Sequence, residues 1–360
     1  MAFNAATAAD VTAKTLEKYI REGDPKQILK HVLNKPLLRA LDKSKVEFKS
    51  AGVGSGTTTP PNVREPVMGA LMRDNPAAYA GYAADDVVTF GASSGLIQTS
   101  CPVRSMHCGW KVNHDELAQQ GVEVTNNKAS PTPAEITNLV DALELMRADY
   151  GEAVMYGRNN TLWQDGSQDA KAIAGIKSIL TDDPTVGTVL GINRATAPWF
   201  RHVADTGVGG AGAKLAYSKA DQTLTERLDY VFDILLPLYG GNPDTCFAGA
   251  DIIGALKREA HAKGNLTVTG WKDENDLAVG GFVFGKLKIV HDPTLDLLGE
   301  SKSIYAWDSK HLKLRPQTGQ WGKVTPQNQP ADQFIMLTST TDRGTLTCNQ
   351  PDCCYKGVLS

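Results

Sequence analysis

Apolar positions along the chain fall into registers that change abruptly. Over residues 10–45 the spacing is helical with a break: Gly23 can end one helix, and Asp24 followed by Pro25 can cap and open the next. Ile28, Leu29, Val32, Leu33, Leu37 and Leu38 share one side, with Pro36 interrupting, so this arm is amphipathic and has to dock. From about Val46 to Cys101 no helix period holds. SAGVGSGTTTPPNVREP leads to a short apolar patch at Val67 to Met72 and then to NPAAYAGYAADD. That is too long for a connection inside a compact domain. Its isolated hydrophobics favour an extended hairpin whose apolar side is buried outside its own domain, a neighbouring copy being the natural candidate.

The clearest element follows. Thr132, Pro133 and Glu135 match an N-cap, a first-turn proline and the acid of a capping box. Ile136, Leu139, Val140, Leu143, Met146, Tyr150 and Val154 keep helical spacing to about Tyr156, where Gly157 supplies a stop. A helix over 133–156 is a rod of roughly 36 Å. NTLWQDG comes next, then a short helix predicted at 169–179, GINRATAPWFRH at 191–202 and a glycine-rich turn, GVGGAGAK, at 207–214. Leu224, Leu228, Val231, Phe232 and Leu235 mark a second long helix closed by Gly240 and Gly241. NPDTCFAGADIIGALKREA reads as a strand entering a helix. GGFVFGKLKIVHDP, with Phe282, Phe284, Leu287 and Ile289 near alternation, reads as strand, and residues 303–347 as further strands. The pattern is mixed α and β without an internal repeat.

Composition narrows the class. At 360 residues the prior is two domains, or one with long excursions, and 41% hydrophobic against 21% charged residues is ordinary for a globular protein. A formal charge of -3 gives no field to draw nucleic acid, although residues 1–46 hold nine Lys or Arg against five Asp or Glu. The start lacks the apolar core of a secretory signal, and no stretch approaches the ~18 apolar residues of a membrane span.

Candidate chemistry is mostly eliminated. Gly207 and Gly212 are spaced as in a phosphate cradle, but Ala213 stands where its lysine must follow and Leu215 offers no hydroxyl. The dinucleotide fingerprint fails for want of a strand with the right glycines. Neither Cys101, His107 and Cys108 nor Cys348, Cys353 and Cys354 have zinc-site spacing. His114, Asp115 and Glu116 fit a solvated turn, and His291 with Asp292 before Pro293 fits a strand end. No catalytic, cofactor or metal site is expected. In GINRATAPWFRH, base stacking on Trp199 would want more cations than Arg194 and Arg201. Trp and Arg do carry protein interfaces. The expectation is a corner where Trp199 and Phe200 pack inward and the arginines meet carboxylates, with a Trp buried in its own domain as the equal alternative.

The order of these pieces resembles the major capsid proteins of tailed bacteriophages, the Hong Kong 97-like fold. The residues that carry it are the capped helix, LWQDG at Leu162 to Gly166, GINRATAPWFR at 191–201, NPDTC at 242–246, GGFVFGKLKIVHDP and SIYAWDSKHLKL. The resemblance implies an α+β fold with an N-terminal arm over 1–46 and an extended hairpin loop over 47–100. It implies a peripheral domain over 101–171 with its spine helix at 133–156, an axial domain over 172–278, and closing peripheral strands and tail over 279–360. It implies a non-enzymatic subunit without cofactor that forms hexamers and pentamers of an icosahedral shell. That shell would be assembled in the host cytoplasm around double-stranded DNA, near the DNA without gripping it and away from membranes. Arm and hairpin would reach neighbours. Portal and decoration proteins are implied partners, as is a separate scaffolding protein, because about 46 residues before the loop leave no room for a fused one. An encapsulin-type shell, a minor tail component and a soluble enzyme with an unrecognised site are the rival readings. The segment CNQPDCC is expected at the surface. Adjacent Cys353 and Cys354 are awkward mutual partners, so with Cys348 they are candidates for pairing across subunits, with Cys101 or Cys108.

Overall fold

Alternation sorts the strands into two sheets. In a computed structural model, which describes residues 34–48, 62–68, 83, 96–113, 149–219, 221–262, 282–284, 287–325 and 335–360, Ser303–Trp307 is buried at every position. Ile304 and Ala306 face one core while Tyr305 and Trp307 face another. Thr245–Ala248 divides the same way, with Cys246 and Ala248 on the first side and Phe247 on the second. A strand apolar on both faces needs cover on both. One cover is Ala250–Ala262 with the helix that starts at Thr223, and the other is the end of a long helix. The mixed six-stranded sheet runs Phe282–Phe284, Leu287–His291, Thr245–Ala248, Ser303–Trp307, Tyr355–Val358, Val203–Asp205. Its parallel pairs are Leu287–His291 with Thr245–Ala248, and Tyr355–Val358 with Val203–Asp205.

The second sheet is antiparallel and built around Ile335–Cys348, which pairs with Arg104–Asn113 along one edge and with Leu312–Pro316 and Lys323–Val324 along the other. The long helix, described over 149–163, lies against it. Tyr150 stacks on Trp110 at 5.6 Å between ring centroids. Its hydroxyl donates to the Cys108 carbonyl at 2.7 Å and accepts from the Thr340 amide at 3.0 Å. Arg158 makes a two-pronged pair with Asp342 at 2.9 and 2.8 Å.

The same helix then enters the other sheet. Trp163, fully buried, meets the rings of Phe247, Tyr305 and Trp307 and donates its indole N–H to Asp292 at 2.8 Å. Asp292 also caps the short helix Pro293–Leu297 through the Thr294 amide. One helix thus pins both sheets. Gly157, expected as its stop, is passed through, and residues 133–148 of the expected 133–156 span lie outside the described residues. A mid-helix glycine costs only about 1 kcal/mol, and burial of Asn159, Leu162 and Trp163 beyond it outweighs that. The chain turns instead at Gly166, whose φ is +89°.

Other expectations are corrected. Pro36 does not interrupt a helix but opens Pro36–Lys43, where a missing N–H costs nothing. Leu37, Leu38 and Leu41 pack into the chain's own core and Lys35 pairs with Glu152, so this end of the arm docks at home, not on a neighbour. Residues 1–33 lie outside the described residues. The helix expected over 169–179 shrinks to Ile176–Ile179. The strands after 279, expected in the long-helix domain, divide: Leu312–Pro316, Lys323–Val324 and Ile335–Cys348 build the antiparallel sheet, while Phe282–Phe284, Leu287–His291, Ser303–Trp307 and Tyr355–Val358 belong to the six-stranded sheet. For the loop over 47–100, the described part is a paired base. Asn62–Val63 lies antiparallel to Cys101–Pro102, and Pro66–Met68 to Leu96–Gln98.

Gly175 is fixed by crowding. A methyl there would overlap the carbonyls of Leu162 and Gln164. Gly175→Ala is therefore expected to lose about 1–3 kcal/mol, the range for overpacking, seen as a lower denaturation midpoint at unchanged slope.

Candidate functional site

The stretch 191–202 folds as a corner. A tight hairpin joins Thr188–Val189 to Ile192–Asn193, with Leu190 and Gly191 at φ of 50° and 84°. That turn aims Arg194 into the interior, where it is wholly buried. Its guanidinium donates to Thr181 Oγ1 at 2.9 Å and to the Ile179 carbonyl at 2.5 Å. Its Nε has no partner among the described residues. Burial pushes Arg194 down to about 10. Arg201 holds the turn from outside, donating from Nε to the Arg194 carbonyl at 2.9 Å. The expected carboxylates are thus replaced by neutral oxygens: the Ile179 carbonyl and the Thr181 hydroxyl for Arg194, and the stretch's own carbonyls at Arg194 and Ala195 for Arg201. Phe200 is fully buried, and Trp199, half-buried, meets it edge-on at 5.7 Å. Within the chain, Arg194 and Phe200 are spent on this corner, while Trp199 and Arg201 also line a cleft beside it.

His202 follows, 3% exposed, its Nε2 bonded to the Thr181 carbonyl at 2.9 Å. Burial, with the Arg194 charge adding to it, holds the imidazole down to about 3. Above pH 6.5 it is neutral folded and unfolded, and contributes no slope. Between 6.5 and about 3 the unfolded chain takes a proton that the folded one refuses, so this residue erodes stability as pH falls, by up to about 1.4 kcal/mol per pH unit. Burial raises Asp42 and Asp292 and gives the opposite slope. The contrast that isolates His202 is chemical denaturation of the parent and His202→Gln across pH 6.5 to 4, where the variant should show the shallower loss.

Beside the corner, Thr206 and Asp183 hold the glycine-rich turn. Asp183 accepts from the Thr185 amide at 2.8 Å and the Gly210 amide at 3.4 Å. A side chain at Gly209 would overlap Asp183. GVGGAGAK is therefore a turn clamped to its own chain. Between this turn, the corner and the helix from Thr223 lies a cleft of about 480 Å³ lined by Pro184, Pro198, Trp199, Arg201, Arg227 and Leu235 among others.

Two charged clusters escaped the sequence reading. Buried Asp205 accepts from Arg227 Nε and Nη2 at 2.9 and 2.8 Å and from the Tyr355 hydroxyl at 3.0 Å. Buried Lys356 pairs with Asp182 at 2.6 Å and lies 5.2 Å from the centre of the Tyr305 ring. Their partners are too far apart in the chain for any spacing to show them. CNQPDCC was expected at the surface, and this is overturned. Cys348, Cys353 and Cys354 are fully buried, because the chain runs on into Tyr355–Val358 between two strands of the six-stranded sheet. Cys101 is equally buried, and burial pushes its thiol up to about 12. All six thiols are free. Of the five cysteines considered for pairing across subunits, only Cys108 is more than marginally accessible.

A six-stranded mixed sheet covered by helices, an antiparallel sheet lying on a long helix that pins both, and a paired hairpin base make up the Hong Kong 97-like fold. The chain is similar in structure to the cyanophage A-1(L) capsid, at 14% identity and a TM-score of 0.58 over 91% of this chain and 93% of that one. Weaker likenesses include the capsid of Myoviridae phage XM1, at 11% identity, 92% and 94% coverage and a TM-score of 0.49. Mycobacterium phage Adephagia follows at 11%, 92% and 95%, and 0.47. No protein-family model and no curated sequence relative matches.

Proposed function

We propose that this chain is the shell subunit of a tailed phage, assembling with itself into a closed icosahedral capsid around double-stranded DNA, and that its role is mechanical. The observation that carries the reading is the extent of the likeness to the cyanophage capsid, 91% of one chain and 93% of the other, which leaves little of this chain outside the shared architecture. Linking many copies through several modest contacts gives avidity that no single pair supplies, and closed symmetry limits growth. A portal protein and a separate scaffolding protein are the partners expected of such a shell, with a decoration protein as an optional addition.

Expression of the full chain, followed by size-exclusion chromatography and electron microscopy, tests it. Closed particles, formed alone or when a candidate scaffolding protein is co-expressed, are expected. A small soluble oligomer at every concentration overturns the reading, and particles that enclose an enzyme in place of a genome replace it with the compartment reading.

A further inference from the structure

The helix from Thr223 leaves one of its faces uncovered. It runs as α-helix to Asp229, as a π turn over Tyr230–Leu235 and as α-helix again to Leu238. Pro237 explains the change of pitch, since it has no N–H to give the Asp233 carbonyl four residues back and its ring crowds that oxygen. The wider turn keeps residues four apart nearly in line. Tyr230, Ile234 and Leu238 form that line and are 45%, 57% and 70% exposed. Glu226 and Asp233 border it and are exposed as well. Further round the same helix, Arg227 and Leu235 line the cleft beside Trp199. Arg201, also in the cleft, bonds to the Arg194 and Ala195 carbonyls and to no carboxylate among the described residues.

We infer that a second copy of this chain covers the stripe: Ile234 and Leu238 of one copy enter the cleft of the next, against Pro198 and Trp199, and Asp233 comes to Arg201. This rests on the self-assembly reading above and gives it a contact. The two surfaces match at two places: Ile234 and Leu238 against the apolar side of a cleft that is otherwise largely polar, at Pro198 and Trp199, and an acidic border against a guanidinium whose own bonds go to carbonyls. Stripe against stripe fails on the second count, because it would set acidic borders face to face. Two different surfaces make a head-to-tail contact, which repeats around a ring until it closes. Three side chains fall well short of the ~800 Å² per partner of a stable isolated pair, so the contact holds only where the ring repeats it.

The full chain carrying Leu238→Cys and Pro198→Cys, treated with copper phenanthroline and run on a non-reducing gel, tests the geometry; the parent controls for Cys108. A covalent ladder extending past the dimer is expected from the double variant and from neither single variant. Dimers from Leu238→Cys alone mean that the stripe meets itself and overturn the inference. A double variant that assembles without any ladder overturns it too, while leaving the shell reading standing; a parent that never associates overturns both. In parallel, Leu238→Asp should raise the concentration needed for assembly by roughly tenfold or more with an unchanged melting temperature. Assembly at the parent's concentration counts against the contact.

Discussion

Trp163→Ala should destabilise the protein by about 3–5 kcal/mol, the cost of emptying a large aromatic site in a packed core, and should do so at two places at once. The indole is fully buried among Phe247, Tyr305 and Trp307, and its N–H answers one oxygen of the equally buried Asp292. Removing it leaves both a void and a carboxylate that has lost a donor. Trp163 also stands at the point where the long helix passes from one sheet to the other. Its loss should therefore uncouple them, turning a single calorimetric transition into two. Trp163→Phe retains most of the packing and forfeits the hydrogen bond, so a loss of about 1–2 kcal/mol with one transition is expected. A melting profile for the alanine variant that overlays the parent's would show that the helix end is not the tie between the sheets.

The second large effect belongs to Asp205. Its carboxylate is 1% exposed and takes two bonds from Arg227 and one from Tyr355. These three residues come from an edge strand, a helix and an inner strand, so the acid binds three elements through one group. Asp205→Ala strands a fully buried Tyr hydroxyl and takes the acid from a guanidinium that is itself 41% exposed and stays hydrated, so the loss is expected at about 2–3 kcal/mol, the cost of an unanswered buried donor and of charge-assisted bonds. Tyr355→Phe removes a single neutral donor and should cost about 1 kcal/mol. The ordering, measured by chemical denaturation, is the test. Equal losses would mean that ring packing, not the acid, holds the cluster.

Much of this fold could be read along the chain where a period was long and undisturbed. The helix marked by Leu224, Leu228, Val231 and Phe232, the strand and helix of NPDTCFAGADIIGALKREA, and the alternation around Leu287 and Ile289 occur as expected. The failures share a cause: local chemistry was overruled by tertiary burial. Gly157 is a good stop in isolation, yet Leu162 and Trp163 carry the helix past it. CNQPDCC is polar in composition and still sits in the interior, because its neighbours in space are Tyr239 and, at Cys348, the strand Leu312–Pro316. At 191–202 the arginines meet neutral oxygens where carboxylates were expected, and an arginine wholly buried on a carbonyl and a hydroxyl has no signature in spacing. Nor do pairs such as Asp205 with Tyr355, which only the finished sheet brings together.

Among the described residues, the edge strand Val203–Asp205 has a single neighbour in its sheet, Tyr355–Val358. On the ribosome, everything between them must be synthesised before the earlier strand finds its mate. Until then Asp205 can pair with Arg227 but not with Tyr355, and the nascent chain carries an open edge of the kind that recruits stray strands. A product cut short before Tyr355 lacks that mate altogether and keeps the edge open, so truncation there is expected to favour aggregation over folding.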